Sequence, residues 1–526
     1  MTSARALAGC FFAVLVSACT TTPATSSAPG SGTTPSATPS VSASPAEVIP
    51  PQPVASSVPF PLEATIPELQ KAMENGELTS LELVDFYLAR IAAYDDAGPK
   101  LNAFIFVNPR ARKEAAALDA ERAASGPRGP LHGIPVVLKD VIDTADMPTT
   151  GGSRALEGFV PDEDAFQVRK LREAGAIILG KTNLYELANG FNSVSSLGGQ
   201  TLSPYDLSRD PGGSSGGSAV AVTANFAVAG FGTDSCGSVR YPAVLNDLYG
   251  LRPTAGLSSR TGLIPLSMTL DTMAPMARSV VDLAIVLDAT AGKDPQDPTT
   301  VKVDASYQDA VDPNGLSGRR IGVVSFTLDP EVDQLVSAAV DDLEANGAEI
   351  VEVAMPCCSD VGPLFYEQHA GIDEYLAARP TAPVGSMREM ARLNVEDAAF
   401  TELYRGEVEV KPTDFPAHRD ALEGRDPFRD AIVALMDEND LDALFYPESR
   451  NPAPPIGNYQ EPYDCAAAPY AGLPAISVPA GFTSDGLPVG FELMGRPFAE
   501  PTLIAMASGY EAHTDHRILP PTTPPL

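Results

Sequence analysis

The feature that most narrows the fold is an alternation running from about residue 133 to residue 493. Short apolar, β-branched runs bounded by Gly or Pro recur between longer stretches of helical periodicity. Residues 133–141 (GIPVVLKDV) form the first such run and read as a buried strand. A helix over 165–174 feeds a second run at 176–179. A run at 321–325, a helix over 330–346 and a run at 349–353 repeat the pattern, and late runs fall at 443–446, 475–478 and 489–493. Runs this short and this apolar are covered on both sides, because a strand with one wet face alternates apolar with polar residues. The expectation is an α/β fold: a mixed β-sheet covered by helices on both faces. Upstream, Thr79 and Glu82 form a capping box that opens a helix, with Val84, Leu88 and Ile91 on one face. An Ala-rich helix follows at about 109–124. Residues 356–440 have weaker periodicity and read as a helical insertion over the sheet, and no fixed-period repeat is present.

Composition removes several function classes. With 526 residues, 44% hydrophobic and 20% charged, the chain can bury a large core. Its 35 basic residues face 68 acidic ones, a net charge of −33 that repels phosphate backbones and argues against a nucleic-acid partner. Six Cys in this length do not make a disulfide scaffold. The five His (His132, His369, His418, His513 and His516) do not pair with Cys at metal-ligand spacing, so no metal site is expected.

The N-terminal 62 residues read as lying outside the fold. Arg5 precedes an uncharged, mostly apolar stretch from Ala6 to Ala18, too short to span a bilayer and suited to a secretory signal. Val16-Ser17-Ala18-Cys19 resembles a bacterial lipobox. The resemblance implies cleavage of residues 1–18, a lipidated Cys19, and an exported chain held to the membrane by its lipid anchor alone. From Thr20 to Ala46, 24 of 27 residues are Ser, Thr, Pro or Ala, and none is charged. Such a segment stays disordered. Residues 20–62 therefore read as a tether with a reach of roughly 100 Å. The folded domain is expected over 63–526.

The residues that carry chemistry concentrate between 139 and 254. Residues 210–218 read DPGGSSGGS, too rich in Gly and Ser for a helix or strand interior. The phosphate-loop pattern is missing. A G-x-S-x-G nucleophile elbow matches twice, but the elbow needs a strand immediately before it, and the polar, Pro-bounded 204–211 is not one. A second cluster, FGTDSCGSVRYP, occupies 231–242. Lys139 stands alone in an apolar strand, where it must be either paired, with Asp140 or Asp143 as candidates, or neutral. Together with two serine clusters it becomes a candidate Ser-Ser-Lys constellation.

The run GGSSGGSAVAV…GFGTDSCGSVRYPAVLNDLYGLRPTAGLSS strongly resembles the amidase signature family, and residues 134–140 (IPVVLKD), 472–481 and 487–493 resemble its other motifs. The resemblance runs from about residue 66 to 514 and is weakest over 300–460. It implies the amidase signature fold and hydrolysis of a carboxylic amide C–N bond in a small molecule, without metal or organic cofactor. It also assigns roles. Lys139 is the base, Ser214 the bridging serine after a cis peptide bond, Ser238 the nucleophile, and Ser215 a supporting hydrogen-bond partner. The backbone amides of Ser235, Cys236, Gly237 and Ser238 form the oxyanion hole. Cys236 departs from the family pattern, where Gly is commoner. Its amide survives the change, but its side chain is expected to narrow the pocket; no His or Asn motif supports it as a cysteine nucleophile. Two other classes stay open: an amidotransferase component that generates ammonia, and a non-catalytic solute-binding lipoprotein.

Overall fold

A computed structural model of the chain describes residues 61–356, 361–393, 415–459 and 465–526. The signal, Cys19, residues 20–60 of the expected tether, and Cys357 and Cys358 lie outside the described residues, whereas Pro61 and Leu62, expected in the tether, are buried in the fold. At the core stands one mixed sheet of eleven strands. Its order across the sheet is Phe104–Val107, Ile177–Thr182, Pro135–Lys139, Ala229–Asp234, Thr272–Ala277, Tyr249–Arg252, Ala475–Phe482, Pro488–Met494, Ala443–Pro447, Arg320–Val324 and Glu349–Val353. Pro135–Lys139 lies parallel to both its neighbours, Ile177–Thr182 and Ala229–Asp234. The middle of the sheet, from Ala229–Asp234 to Ala443–Pro447, is antiparallel throughout. Helices cover both faces, as the apolar strands required: the five residues of Pro135–Lys139 and the six of Ala229–Asp234 are all buried.

The local signals hold where they were strong. The helix Ser80–Arg90 carries the capping box, Glu82 N–H to Thr79 Oγ1 at 3.1 Å and Thr79 N–H to Glu82 Oε2 at 2.8 Å. The Ala-rich helix runs Ala111–Ser125, and the expected 330–346 helix runs Pro330–Ala345. Within 356–440, the described residues form the helices Glu367–Ala377, Met387–Leu393 and Pro416–Glu438. No described helix is long and apolar enough to cross a membrane.

One helix matters most for the site. Gly216–Thr223 is buried along its whole length and packs on Ala229–Asp234, Pro135–Lys139 and Thr272–Ala277. Its entry explains the glycines of GGSSGG. A Cβ on Gly213 would stand 1.8 Å from the Asn192 carbonyl oxygen, and one on Gly217 would stand 2.3 Å from the Asn183 carbonyl oxygen. These glycines give close backbone packing. The segment before them, 204–211, contains no strand, which removes the nucleophile-elbow reading.

Candidate active site

Three elements converge at one end of the parallel strands. Pro135–Lys139 ends in Lys139, the loop entering Gly216–Thr223 carries Ser214 and Ser215, and the turn after Ala229–Asp234 carries residues 235–239. Lys139 Nζ donates to Ser214 Oγ at 2.7 Å and to Thr233 Oγ1 at 3.0 Å. The Gly213–Ser214 peptide bond is cis. The two serine segments clasp through the backbone, Ser215 N–H donating to the Ser238 carbonyl at 3.2 Å, while Ser215 Oγ donates to the Thr233 carbonyl at 3.4 Å. Lys139 and Ser214 are fully buried, whereas Ser238 keeps 4% of its surface exposed. All three side chains are therefore enclosed, Ser238 marginally the least so.

The ion-pair alternatives for Lys139 are already taken. Asp140 pairs with buried Lys181 at 3.1 Å, and Asp143 pairs with Arg379 at 2.6 Å and accepts from Tyr375 Oη at 2.7 Å. Burial pushes the Lys139 ammonium down from 10.5 to about 7, partly opposed by the negative charges of Asp271 and Asp234. Burial therefore favours the neutral amine at a far lower pH than for an exposed lysine.

Asp234 organises the turn. Its carboxylate accepts from the amides of Gly237 at 3.0 Å and Val239 at 3.2 Å, and pairs with Arg240 at 3.1 Å and Arg252 at 3.0 Å. Burial alone would raise its pKa, but the two guanidinium groups outweigh burial and hold it well below the usual carboxylate range. Arg240 also pairs with Glu492, which accepts from Tyr446 Oη at 2.7 Å. Ser235 Oγ donates to Asp271, a half-buried carboxyl whose pKa is raised by its loss of solvation.

The Gly237 amide, expected in the oxyanion hole, donates to Asp234 at 3.0 Å, so in this structure that N–H holds the turn together. Gly237 has φ 83°, a conformation that favours glycine and reverses the chain before Ser238. Cys236 and Cys465 form a disulfide, with Cα atoms 4.8 Å apart, so Cys236 has no thiol to act as a nucleophile. The sequence reading did not single out Asp234; its place three residues before a Gly hinted at the turn contact but not at the arginine pairs. Among the described residues no group of three or more His, Cys, Asp or Glu is placed to hold a metal ion.

Most of the chain is similar to known proteins. The family model described as Amidase matches residues 82–504. The chain is 36% identical over 485 residues to a glutamyl-tRNA(Gln) amidotransferase subunit from Roseiflexus sp. (strain RS-1), covering 88% of this chain and 99% of that one. It is 37% identical over 479 residues to the corresponding Myxococcus xanthus protein, covering 86% and 98%. Among solved structures, native peptide amidase from Stenotrophomonas maltophilia superposes with a TM-score of 0.81 at 41% identity, covering 88% of this chain and 99% of that one. The glutamyl-tRNA(Gln) amidotransferase subunit from Thermotoga maritima superposes with a TM-score of 0.68 at 31% identity, covering 87% and 97%.

Proposed function

The chain belongs to the Amidase family, and on that premise we propose that it hydrolyses a linear carboxylic amide outside a peptide backbone, releasing an acid and ammonia or an amine. The observation that carries the reading is the enclosed 2.7 Å contact between Ser214 and a lysine whose pKa falls near 7. Serine is a weak nucleophile and needs a base, and lysine serves as one only when neutral. In the neutral amine the contact reverses, Ser214 O–H donating to the lysine lone pair. Ser214 in turn takes the proton of Ser238 as Ser238 Oγ attacks the carbonyl carbon. The amides of Ser235, Cys236 and Ser238 stabilise the oxyanion. Ser214 then returns a proton to the leaving nitrogen, and water clears the acyl group from Ser238 by the same relay. Activated esters fit the same chemistry.

Resemblance to the amidotransferase subunits favours a second reading, in which the released ammonia passes to a partner complex. The net charge of −33 opposes a tRNA-facing role. The two readings separate by co-purification: the amidase reading predicts a chain that hydrolyses amides without partner subunits or tRNA. For a solute-binding lipoprotein without catalysis, Ser238 would resist fluorophosphonate labelling, and an intact Lys139–Ser214 contact argues against it.

Export and lipid anchoring belong to the same proposal. The apolar segment before Cys19 and the uncharged tether after it support this reading. The Cys236–Cys465 disulfide supports it too, since such bonds persist mainly in oxidising compartments. An activity screen of the chain against amides and esters, with Ser238→Ala as control, tests the catalytic assignment. Hydrolysis that survives Ser238→Ala would overturn it.

A further inference from the structure

Every residue flanking Ser238 in the turn has its own tether. Ser235 Oγ is held by Asp271, the Gly237 and Val239 amides by Asp234, and the Arg240 guanidinium by Asp234 and Glu492. Cys236 is held by Cys465, 229 residues further along the chain. Cys465 grips the turn a second time, because its carbonyl accepts from Arg240 Nη2 at 3.2 Å.

What stands behind Cys465 is itself firmly packed. Cys465 immediately precedes the buried helix Ala467–Ala471. Tyr470 of that helix donates its hydroxyl to the Ala421 carbonyl at 2.8 Å, and its own carbonyl accepts from Arg425 Nε at 3.0 Å. Its ring packs on Phe428 with centroids 5.6 Å apart. Ala421, Arg425 and Phe428 all lie on the long helix Pro416–Glu438. The disulfide therefore ties the turn carrying the nucleophile to the helical layer that packs over the sheet.

We propose that Cys465 is a positioning residue for hydrolysis, a role resting on the assignment of Ser238 as nucleophile. Asp234 fixes the turn through Gly237 and Val239, both downstream of Cys236. The covalent bond to Cys465 is what fixes Cys236 itself, and with it the amide aimed at the developing oxyanion. Donors of this kind act by being in place before charge develops, so a looser turn slows chemistry and leaves substrate binding nearly intact.

The test compares the full chain, its Cys465→Ala variant, and wild type whose disulfide has been reduced with a phosphine and alkylated. Active sites are titrated with a fluorophosphonate, the labelled residue is identified by peptide mapping, and kcat and KM are measured for a matched amide and ester. Loss of one oxyanion donor costs about 100- to 1000-fold in kcat, and loosening one should cost roughly tenfold per titrated site. KM should stay within about twofold, and both substrate types should suffer. Reduction and alkylation of the Cys465→Ala variant should add nothing to the kcat loss. Should Cys465→Ala fail to fold, reduced wild type supplies the same comparison. If Ser238 takes the label but kcat per titrated site is unchanged while only melting temperature falls, the disulfide is structural and this proposal fails alone. If Ser238 of the wild type takes no label while amides are still hydrolysed, the nucleophile assignment fails and this proposal falls with it.

Discussion

Moving the pH through neutrality should switch the enzyme on, because the base in the relay changes charge there. Burial brings Lys139 from 10.5 down to about 7. At that value the amine is about 9% neutral at pH 6, half neutral at pH 7 and about 90% neutral at pH 8, whereas an ordinary lysine would be below about 1% neutral at pH 8. The value of kcat/KM, which reports the free enzyme, should fall about tenfold from its plateau to pH 6 along a single ionisation on the acid limb. Asp271 and Asp234 both oppose the shift by favouring the ammonium, so Asp271→Asn should move the midpoint further toward acid. The same group affects stability with a definite sign. Between about pH 7 and 10.5 the unfolded chain holds a proton that the folded chain has released, so Lys139 makes stability rise with pH across that window. Below about pH 7 its penalty is complete, at roughly 3–5 kcal/mol. Lys139→Met should therefore remove nearly all activity together with its pH dependence, and gain more stability relative to wild type at pH 6 than at pH 9. The assays are pH-resolved kcat/KM on an amide and denaturant melts at the two pH values. A flat profile from pH 6 to 8, a midpoint near 10, or an optimum near pH 4 would refute the argument.

Other perturbations follow from the same geometry. Ser214→Ala should hurt amides more than activated esters, whose leaving groups depart without a proton, whereas Ser215→Ala should retain more activity than Ser214→Ala; single-turnover acylation with a matched pair measures both. Gly217→Ala places a methyl 2.3 Å from the Asn183 carbonyl oxygen and 2.7 Å from that of Ala103, and should cost at least about 2–3 kcal/mol, read as a lowered melting temperature. Cys19→Ala should leave the chain unlipidated and release it from membrane fractions; unchanged mass and membrane association would defeat the lipobox reading.

Lys139 in an apolar strand and the two Gly/Ser clusters were legible as one candidate constellation, and the fold does bring them together: Lys139 meets Ser214 at 2.7 Å and the Ser238 carbonyl accepts from the Ser215 amide at 3.2 Å. The strand at one sheet end and those at Pro135–Lys139 and Ile177–Thr182 were legible where β-branched residues crowd together, as in 349–353, observed as Glu349–Val353, whereas the strand at the other end, Phe104–Val107, was not read from the sequence. The central strand Thr272–Ala277 was not, since its sequence TMAPMA contains no β-branched residue except Thr272 and has a proline in the middle. Pro275 is tolerated there because pairing with Tyr249–Arg252 covers only Met276 and Ala277. The Cys236–Cys465 pairing was illegible for a different reason: six Cys allow fifteen complete pairings, and only the fold brings two residues 229 apart into contact. The Asp234 network was hidden likewise, because its partners Arg240, Arg252 and the distant Glu492 meet only once the sheet has formed.

The central claim is that Ser238 bears the acyl group and that Lys139, through Ser214, makes it reactive. It is tested most directly by trapping the covalent adduct: treating the full chain with a fluorophosphonate or a slow-deacylating amide substrate analogue at pH 8, and mapping the modified peptide by mass spectrometry in wild type, Ser238→Ala, Lys139→Met and Ser215→Ala. The account predicts a single adduct on Ser238, absent from Ser238→Ala, formed far more slowly in Lys139→Met and retained in Ser215→Ala. An adduct on Ser214 or Ser215, or one that forms on Ser238 at an undiminished rate without Lys139, would contradict it.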